Sequence, residues 1–210
     1  AQVEATVMIM VTEALKTSAI EGELLSRKDV MSSIRKNLGL ETGSLSGDKR
    51  AQGAAALMLA VRNTIESPLS EDLLFAWHRT VMAGHRHVAT GQWRTDAEPM
   101  QVVSGAYGHE TVHFEAPPSS RVPSEMARFI RWFNETAPSG RKAIQKAAVR
   151  SAIAHLYFES IHPFEDGNGR IHRYLVHHVL AEKGFVPSGL VFPVSAVILN
   201  RIDTYRRVLE

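Results

Sequence analysis

Nine consecutive residues, His162-Pro163-Phe164-Glu165-Asp166-Gly167-Asn168-Gly169-Arg170, put a base, two acids, two glycines and a cation in one short segment, and a second cation, Arg173, follows three residues later. An unperturbed imidazole titrates at about 6.5, so His162 can accept a proton from an attacking hydroxyl near neutral pH. Pro163 lacks an N–H and disfavours helical geometry at the residue before it, which predicts a helix ending at His162 with the ring at its rim. Gly167 and Gly169 permit a sharp turn and a close approach of backbone to ligand. A helix opening there aims its unpaired N–H groups and positive dipole end at the same point, forming a cradle for an anion. Arg170 and Arg173 share one helix face, a spacing that suits successive phosphates. Asp166 faces the same pocket. A single carboxylate beside a polyphosphate is a common protein ligand for Mg²⁺, which keeps waters and phosphate oxygens in its other positions. Together these residues predict a nucleotide bound with its metal.

The spacing of apolar residues shows which elements must hold this segment. Helical periodicity at 141–161 and about 167–183 flanks it, the second helix being stopped by Gly184 and Pro187, and another helix at 123–134 precedes the Pro138-Ser139-Gly140 turn. Upstream, the pattern predicts a helix over 3–15 with Gly22 as its stop, one over 27–38 ending at Gly39, a loop at 41–47, and an Ala-rich buried helix over 51–65 ended by Pro68. Ser70 then caps a helix whose first turn carries Glu71 and Asp72, and Gly84 closes it. Extended runs at 100–103 and 111–114, separated by Ser104-Gly105-Ala106-Tyr107-Gly108, predict a β-hairpin, and a last helix covers 194–209. The fold class is mainly α with one small hairpin.

Composition narrows the function further. In 210 residues, 44% hydrophobic and 22% charged with 9 Pro and 14 Gly, a disordered, collagenous or fibrous chain is excluded. The absence of Cys removes disulfide frameworks, thiolate zinc sites and cysteine nucleophiles, and fits a reducing, cytoplasmic setting. The longest apolar run, 54–61, has 8 residues, against the ~18–20 a membrane helix needs, so no membrane partner is expected. A net charge of +2 without a basic stripe argues against nucleic acid. His155, His172, His177 and His178 are numerous enough to suggest a transition metal. The adjacent pair diverges on a helix and no carboxylate completes a site with His155, so they are read as structural. The chain opens on Ala1 and stops inside a helical pattern, from which a fragment of a longer protein is expected, with an N-terminal helical region over 1–40 and a core over 41–210.

Residues 162–173 match every fixed position of HPFx(D/E)GNGRxxR, and in this the chain resembles the Fic family of nucleotidyl transferases, with Glu165 at a variable position. The resemblance reaches from about 17 to 209, more loosely outside the motif. It implies a Fic fold that binds ATP and Mg²⁺ and moves AMP to a side-chain hydroxyl of a target protein, releasing pyrophosphate. Position by position it makes His162 the general base and Asp166 the Mg²⁺ ligand. Asn168 is assigned to the α-phosphate, the N–H groups of Gly167 and Gly169 to the phosphates, Arg170 to the β-phosphate and Arg173 to the γ-phosphate. Phe164 anchors the loop, and Tyr205 resembles an aromatic near the adenine.

Two further stretches carry the resemblance. Thr17-Ser18-Ala19-Ile20-Glu21-Gly22 is similar to the (S/T)xxxE(G/N) motif of an inhibitory helix, which implies that Glu21 pairs with Arg173 and takes the cation that the γ-phosphate needs. Gly91-Gln92-Trp93-Arg94 followed by Gln101, Val102, Val103, Ser104 and Gly105 is similar to the family's flap, a hairpin whose free edge would take a strand of the target protein. Self-modification and a homodimer are compatible with this reading. The alternatives are removal of AMP with Glu21 positioning a water, transfer of another nucleotide or phosphate group, and a non-catalytic helical interaction module.

Overall fold

In a computed structural model of the chain, the described residues are 2–41, 47–65, 67–104, 109, 111–182 and 192–209. They form α1 (Gln2–Ile20), α2 (Arg27–Asn37), α3 (Lys49–Asn63), α4 (Glu71–Val81), β1 (Gln101–Ser104), β2 (Thr111–Glu115), α5 (Val122–Glu135), α6 (Ala147–Ile161), α7 (Asn168–Glu182), α8 (Val194–Asn200) and α9 (Ile202–Leu209). The mainly helical architecture with one antiparallel hairpin agrees with the sequence reading. Part of the loop predicted at 41–47, the hairpin tip including Gly105, and the Gly184 and Pro187 stops lie outside the described residues.

Helix α7 is the central element, with every residue from Ile171 to Leu180 buried. It packs on α6 and also meets α1, α3, α4 and α8. Fully buried Met10, Leu57, Trp77, Phe129, Phe158 and Phe164 come from five different helices and the loop before α7, and Val30 and Ile34 of α2 join the same core. At ~1.5–3 kcal/mol for each large apolar side chain removed from water, such residues set how firmly the loop is held.

Local chemistry explains most element ends. Ser70 Oγ accepts the N–H of Leu73, capping α4 as its sequence predicts. The chain leaves α1 through a left-handed Gly22 (φ 77°), with the N–H of Glu23 on Ser18 O and that of Gly22 on Ala19 O. This pair of hydrogen bonds is a Schellman closure, and it fixes Glu21 as the residue that caps α1. Arg150, fully buried, donates to Thr136 Oγ1 (3.2 Å) and Phe133 O (2.8 Å) and pairs with Glu182, joining α5, α6 and α7.

Three boundaries differ from the sequence pattern, one being that α1, predicted to 15, runs on to Ile20. The helix predicted from 141 starts only at Ala147, because the preceding backbone is spent on the end of α5: Lys142 N–H donates to Glu135 O and Ile144 N–H to Thr136 O, while Arg141 and Lys142 pair with the Glu135 carboxylate. The single helix predicted over 194–209 is two helices broken at Arg201 (φ −130°, ψ 37°). The break lets α9 bring Tyr205 against His155, 2.8 Å from Tyr205 Oη to His155 Nε2.

Candidate active site

The segment between α6 and α7 is built around Phe164. Its ring is fully buried and stacks on His78 of α4, 3.9 Å between centroids and 5° from parallel, with Trp93 5.1 Å away. Burial lowers the pKa of His78. Its Nδ1 accepts the N–H of Gly91 (2.9 Å), so the proton sits on Nε2 and is donated to Asp166 O (3.0 Å). Asn168 closes the loop from within, accepting the N–H of Phe164 (2.9 Å) and donating to Phe164 O (2.7 Å). Its first task is therefore structural, and one amide hydrogen is left to donate elsewhere.

Gly167 takes φ 81°, and a side chain there would meet Met82 Sδ at 2.8 Å. Its N–H is not open to a ligand as the sequence reading has it. That N–H donates to Asp166 Oδ1 (2.5 Å), the acceptor nearest along the chain. The donors left at the mouth of α7 are the N–H groups of Asn168, Gly169 and Arg170, which have no backbone acceptor among the described residues. The Asp166 side chain is 53% exposed, with Oδ1 3.9 Å from Arg170 Nη2.

The chain itself supplies an anion to this mouth. A methyl group built on Gly169 would collide with the Glu21 carboxylate. Glu21 Oε1 lies 2.5 Å from Arg173 Nη2, and the buried guanidinium is also held by Thr17, with Nε on Thr17 Oγ1 (2.7 Å) and Nη2 on Thr17 O (3.2 Å). Arg170 is held as well: its Nη1 donates to Glu23 Oε2 (3.0 Å), and Glu23 Oε1 lies 2.5 Å from His85 Nε2. Both cations at the cradle thus face acids from the turn that ends α1.

His162 caps α6 in the left-handed region (φ 49°, ψ 61°), its ring at the rim and 30% exposed. It lines a cavity of about 310 Å³ between α6 and the hairpin, with Met100, Val102, Phe114, Leu156, Glu159 and Arg206 among its walls. Among the described residues strands β1 and β2 pair only with each other, with a bulge between Val102 and Val103, and Val102, Val103 and Val112 are exposed. Gln101 Nε2 donates to Glu115 Oε2 across the pair. Tyr205 packs edge-on against His155, 5.6 Å between ring centroids, and burial pushes its hydroxyl up to about 12. Tyr205 lines a separate apolar cavity of about 430 Å³ among α6, α7, α8 and α9.

Sequence reasoning missed three contributors. Arg94, nearly buried, donates from Nε to His162 O (2.7 Å) and from Nη2 to Pro117 O (2.5 Å) and Ile161 O (3.3 Å), while its N–H donates to Pro163 O. It ties the end of α6 to the base of the hairpin. His78 supports the loop from α4, and Glu23 sits one residue past the recognised motif. Of these, only Arg94 had a local signal, in the Gly91-to-Arg94 stretch.

A sequence model described as the Fic/DOC family matches residues 68–180. The chain belongs to the Fic/DOC family. Residues 1–40 match a second model, described as a domain of unknown function (DUF4172). The Fic chain is similar to a protein adenylyltransferase, fic-1, of Caenorhabditis briggsae, 26% identical over 182 residues that cover 85% of this chain and 32% of the relative. A probable protein adenylyltransferase of Aquifex aeolicus is 32% identical over 123 residues, covering 59% of this chain and 33% of the relative. The chain therefore spans about a third of the length of the curated relatives it matches. Among solved structures, a Fic family protein from Desulfovibrio desulfuricans superposes with a TM-score of 0.67 at 28% identity, covering 96% of this chain and 56% of the other. No helix among the described residues is long and apolar enough to cross a membrane.

Proposed function

We propose that this Fic chain transfers AMP from ATP to a hydroxyl side chain of a protein, and that the structure is its self-inhibited resting form. The observation that carries this reading is the pairing, in one loop, of a rim-exposed imidazole with an anion cradle backed by two arginines. The names of the adenylyltransferase relatives support the same chemistry. The target hydroxyl oxygen attacks the α-phosphorus, its proton passes to His162, and the bond to the bridging oxygen breaks to release pyrophosphate. Charge developing on the phosphate oxygens meets the N–H groups of Gly169 and Arg170 and the guanidiniums of Arg170 and Arg173, the second freed from Glu21. Asn168 offers its remaining amide hydrogen to the α-phosphate.

The residues present fit a Mg²⁺ ion held jointly with a triphosphate. Asp166 is half-exposed at the cradle, and only one of its oxygens is engaged by the loop. When bound, the ion would neutralise phosphate charge. The outer edge of β1, which has no further strand beside it among the described residues, would accept a strand of the target through main-chain hydrogen bonds, with Gln101 to Ser104 as the docking strand. Such docking leaves target choice to a few side chains.

Intact-mass spectrometry of the Glu21→Gly protein, incubated with Mg-ATP and a protein extract, tests the transfer. A protein heavier by one AMP residue is expected, with pyrophosphate in solution. No adduct on any protein, with nucleotide bound, would overturn the reading.

A further inference from the structure

Proton transfer demands more of His162 than a place at the rim. The ring must offer one nitrogen to the target and must hold the proton it receives. The left-handed turn at His162 folds its ring back toward the last turn of α6, where Glu159, three residues earlier, brings Oε1 to 3.5 Å from His162 Nδ1. The other oxygen, Glu159 Oε2, is buried without a hydrogen-bond partner, 3.7 Å from His172 Nε2. A carboxylate that only decorated a helix surface would turn that oxygen to water.

The groups facing Glu159 come from three helices: His155 and His162 on α6 and its cap, His172 and Arg173 on α7, and Tyr205 on α9. Burial opposes ionisation of Glu159. The contact with His162 Nδ1, with the charge of Arg173, outweighs it and holds the carboxyl below its ordinary range. His155, pushed down to about 4 by burial and by Arg173, and His172, pushed well below its ordinary value by burial first, are neutral near pH 7. Arg173 is already engaged by Glu21 and Thr17. Of the imidazoles around this carboxylate, His162 alone also opens onto the cavity under the hairpin.

We propose that Glu159 is a positioning residue for His162: its carboxylate holds the Nδ1–H, which leaves the Nε2 lone pair to take the target's proton, and it balances the imidazolium that results. The proposal rests on the transfer reading above, but the state of the ring can be measured without turnover. A carboxylate that fixes both tautomer and ring orientation is a general way of preparing a histidine base.

The test uses Glu159→Gln and Glu159→Leu in the Glu21→Gly protein, with folding checked by thermal melts. ¹⁵N spectra of the imidazoles, with the His162 signal assigned through His162→Ala, should show the proton on Nδ1 in the parent and a shift toward Nε2 in Glu159→Leu. With α-labelled ATP, kcat should fall about 10–100-fold in both variants, more in the leucine form, while KM for ATP stays within about twofold. An unchanged tautomer with unchanged kcat in Glu159→Leu would overturn the positioning role. Absence of label from the Glu21→Gly parent would instead overturn the transfer reading, and the tautomer measurement would still decide whether Glu159 holds the ring.

Discussion

The Glu21 carboxylate stands 2.5 Å from Nη2 of Arg173 and directly against Gly169, so one side chain covers both a cation and the glycine beside it at the mouth of α7. On the function proposed above, a triphosphate reaching the same mouth would have to displace it. A charge-assisted hydrogen bond contributes ~1.5–3 kcal/mol, equivalent to a ~10–150-fold handicap on productive nucleotide binding. Glu21→Gly is therefore expected to raise AMP transfer by about 10-fold or more. It should also lower Tm without nucleotide, because Arg173 keeps Thr17 but loses its carboxylate partner, and recover it on adding Mg-ATP. Equal activity of the two proteins at saturating target would contradict the inhibitory role.

Glu23 holds the other arginine. Its carboxylate bridges Arg170 and His85 across 147 positions of sequence in the first case and 62 in the second. Glu23→Gln should keep some hydrogen bonding but release the charge, giving a gain in transfer of about 2–10-fold, smaller than that of Glu21→Gly, in which the cradle itself is uncovered. The comparison is one of initial rates in the two single variants and the double variant. A double variant no faster than Glu21→Gly alone would show that Arg170 is not restrained by this contact.

The sequence carried what is local. Pro163 fixed where α6 ends, Ser70 capped α4, and the three-residue spacing of Arg170 and Arg173 put both on one side of α7. The remainder depends on segments far apart in the chain. His78 meets Asp166 88 residues away, and no feature of α4 announces that role. The charged run 141–146 is helical by propensity, yet the end of α5 captures its backbone and its cations. The break at Arg201 likewise follows from seating Tyr205 on His155, a contact across 50 residues.

Arg94 holds the carbonyl of His162 and the carbonyl of Pro117 at once, so it couples the loop between α6 and α7 to the hairpin. A lysine carries its donors on a single nitrogen and cannot reproduce the spacing of Nε and Nη2 from which Arg94 reaches three carbonyls. Arg94→Lys should cost about 2–3 kcal/mol of stability and increase hydrogen exchange in β1 and β2 more than in α3. Uniform exchange changes across the chain would contradict a specific coupling.

Acid should weaken the fold before the carboxylates titrate. His155 is held at about 4 in the folded chain by burial and Arg173, against an ordinary 6.5, and burial also lowers His78, His172 and His178. Between those values the unfolded chain binds more protons, so stability is fully present above about pH 6.5 and is lost as pH falls toward 4. At about 1.4 kcal/mol per unit, His155 alone accounts for about 3 kcal/mol. Melting temperature should be level above pH 7 and fall between pH 6.5 and 5, with a shallower fall in His155→Asn. A level profile across that window would contradict the burial of neutral imidazoles.

Labelling by ATP carrying the isotope at either the α- or the γ-phosphate, in Glu21→Gly and in Glu21→Gly with His162→Ala, tests the central claim most directly. The account predicts protein-bound label from the α position only, and a loss of about 10²–10⁴-fold in the His162→Ala form with nucleotide affinity retained. Label arriving from the γ position, or transfer undiminished without His162, would contradict it.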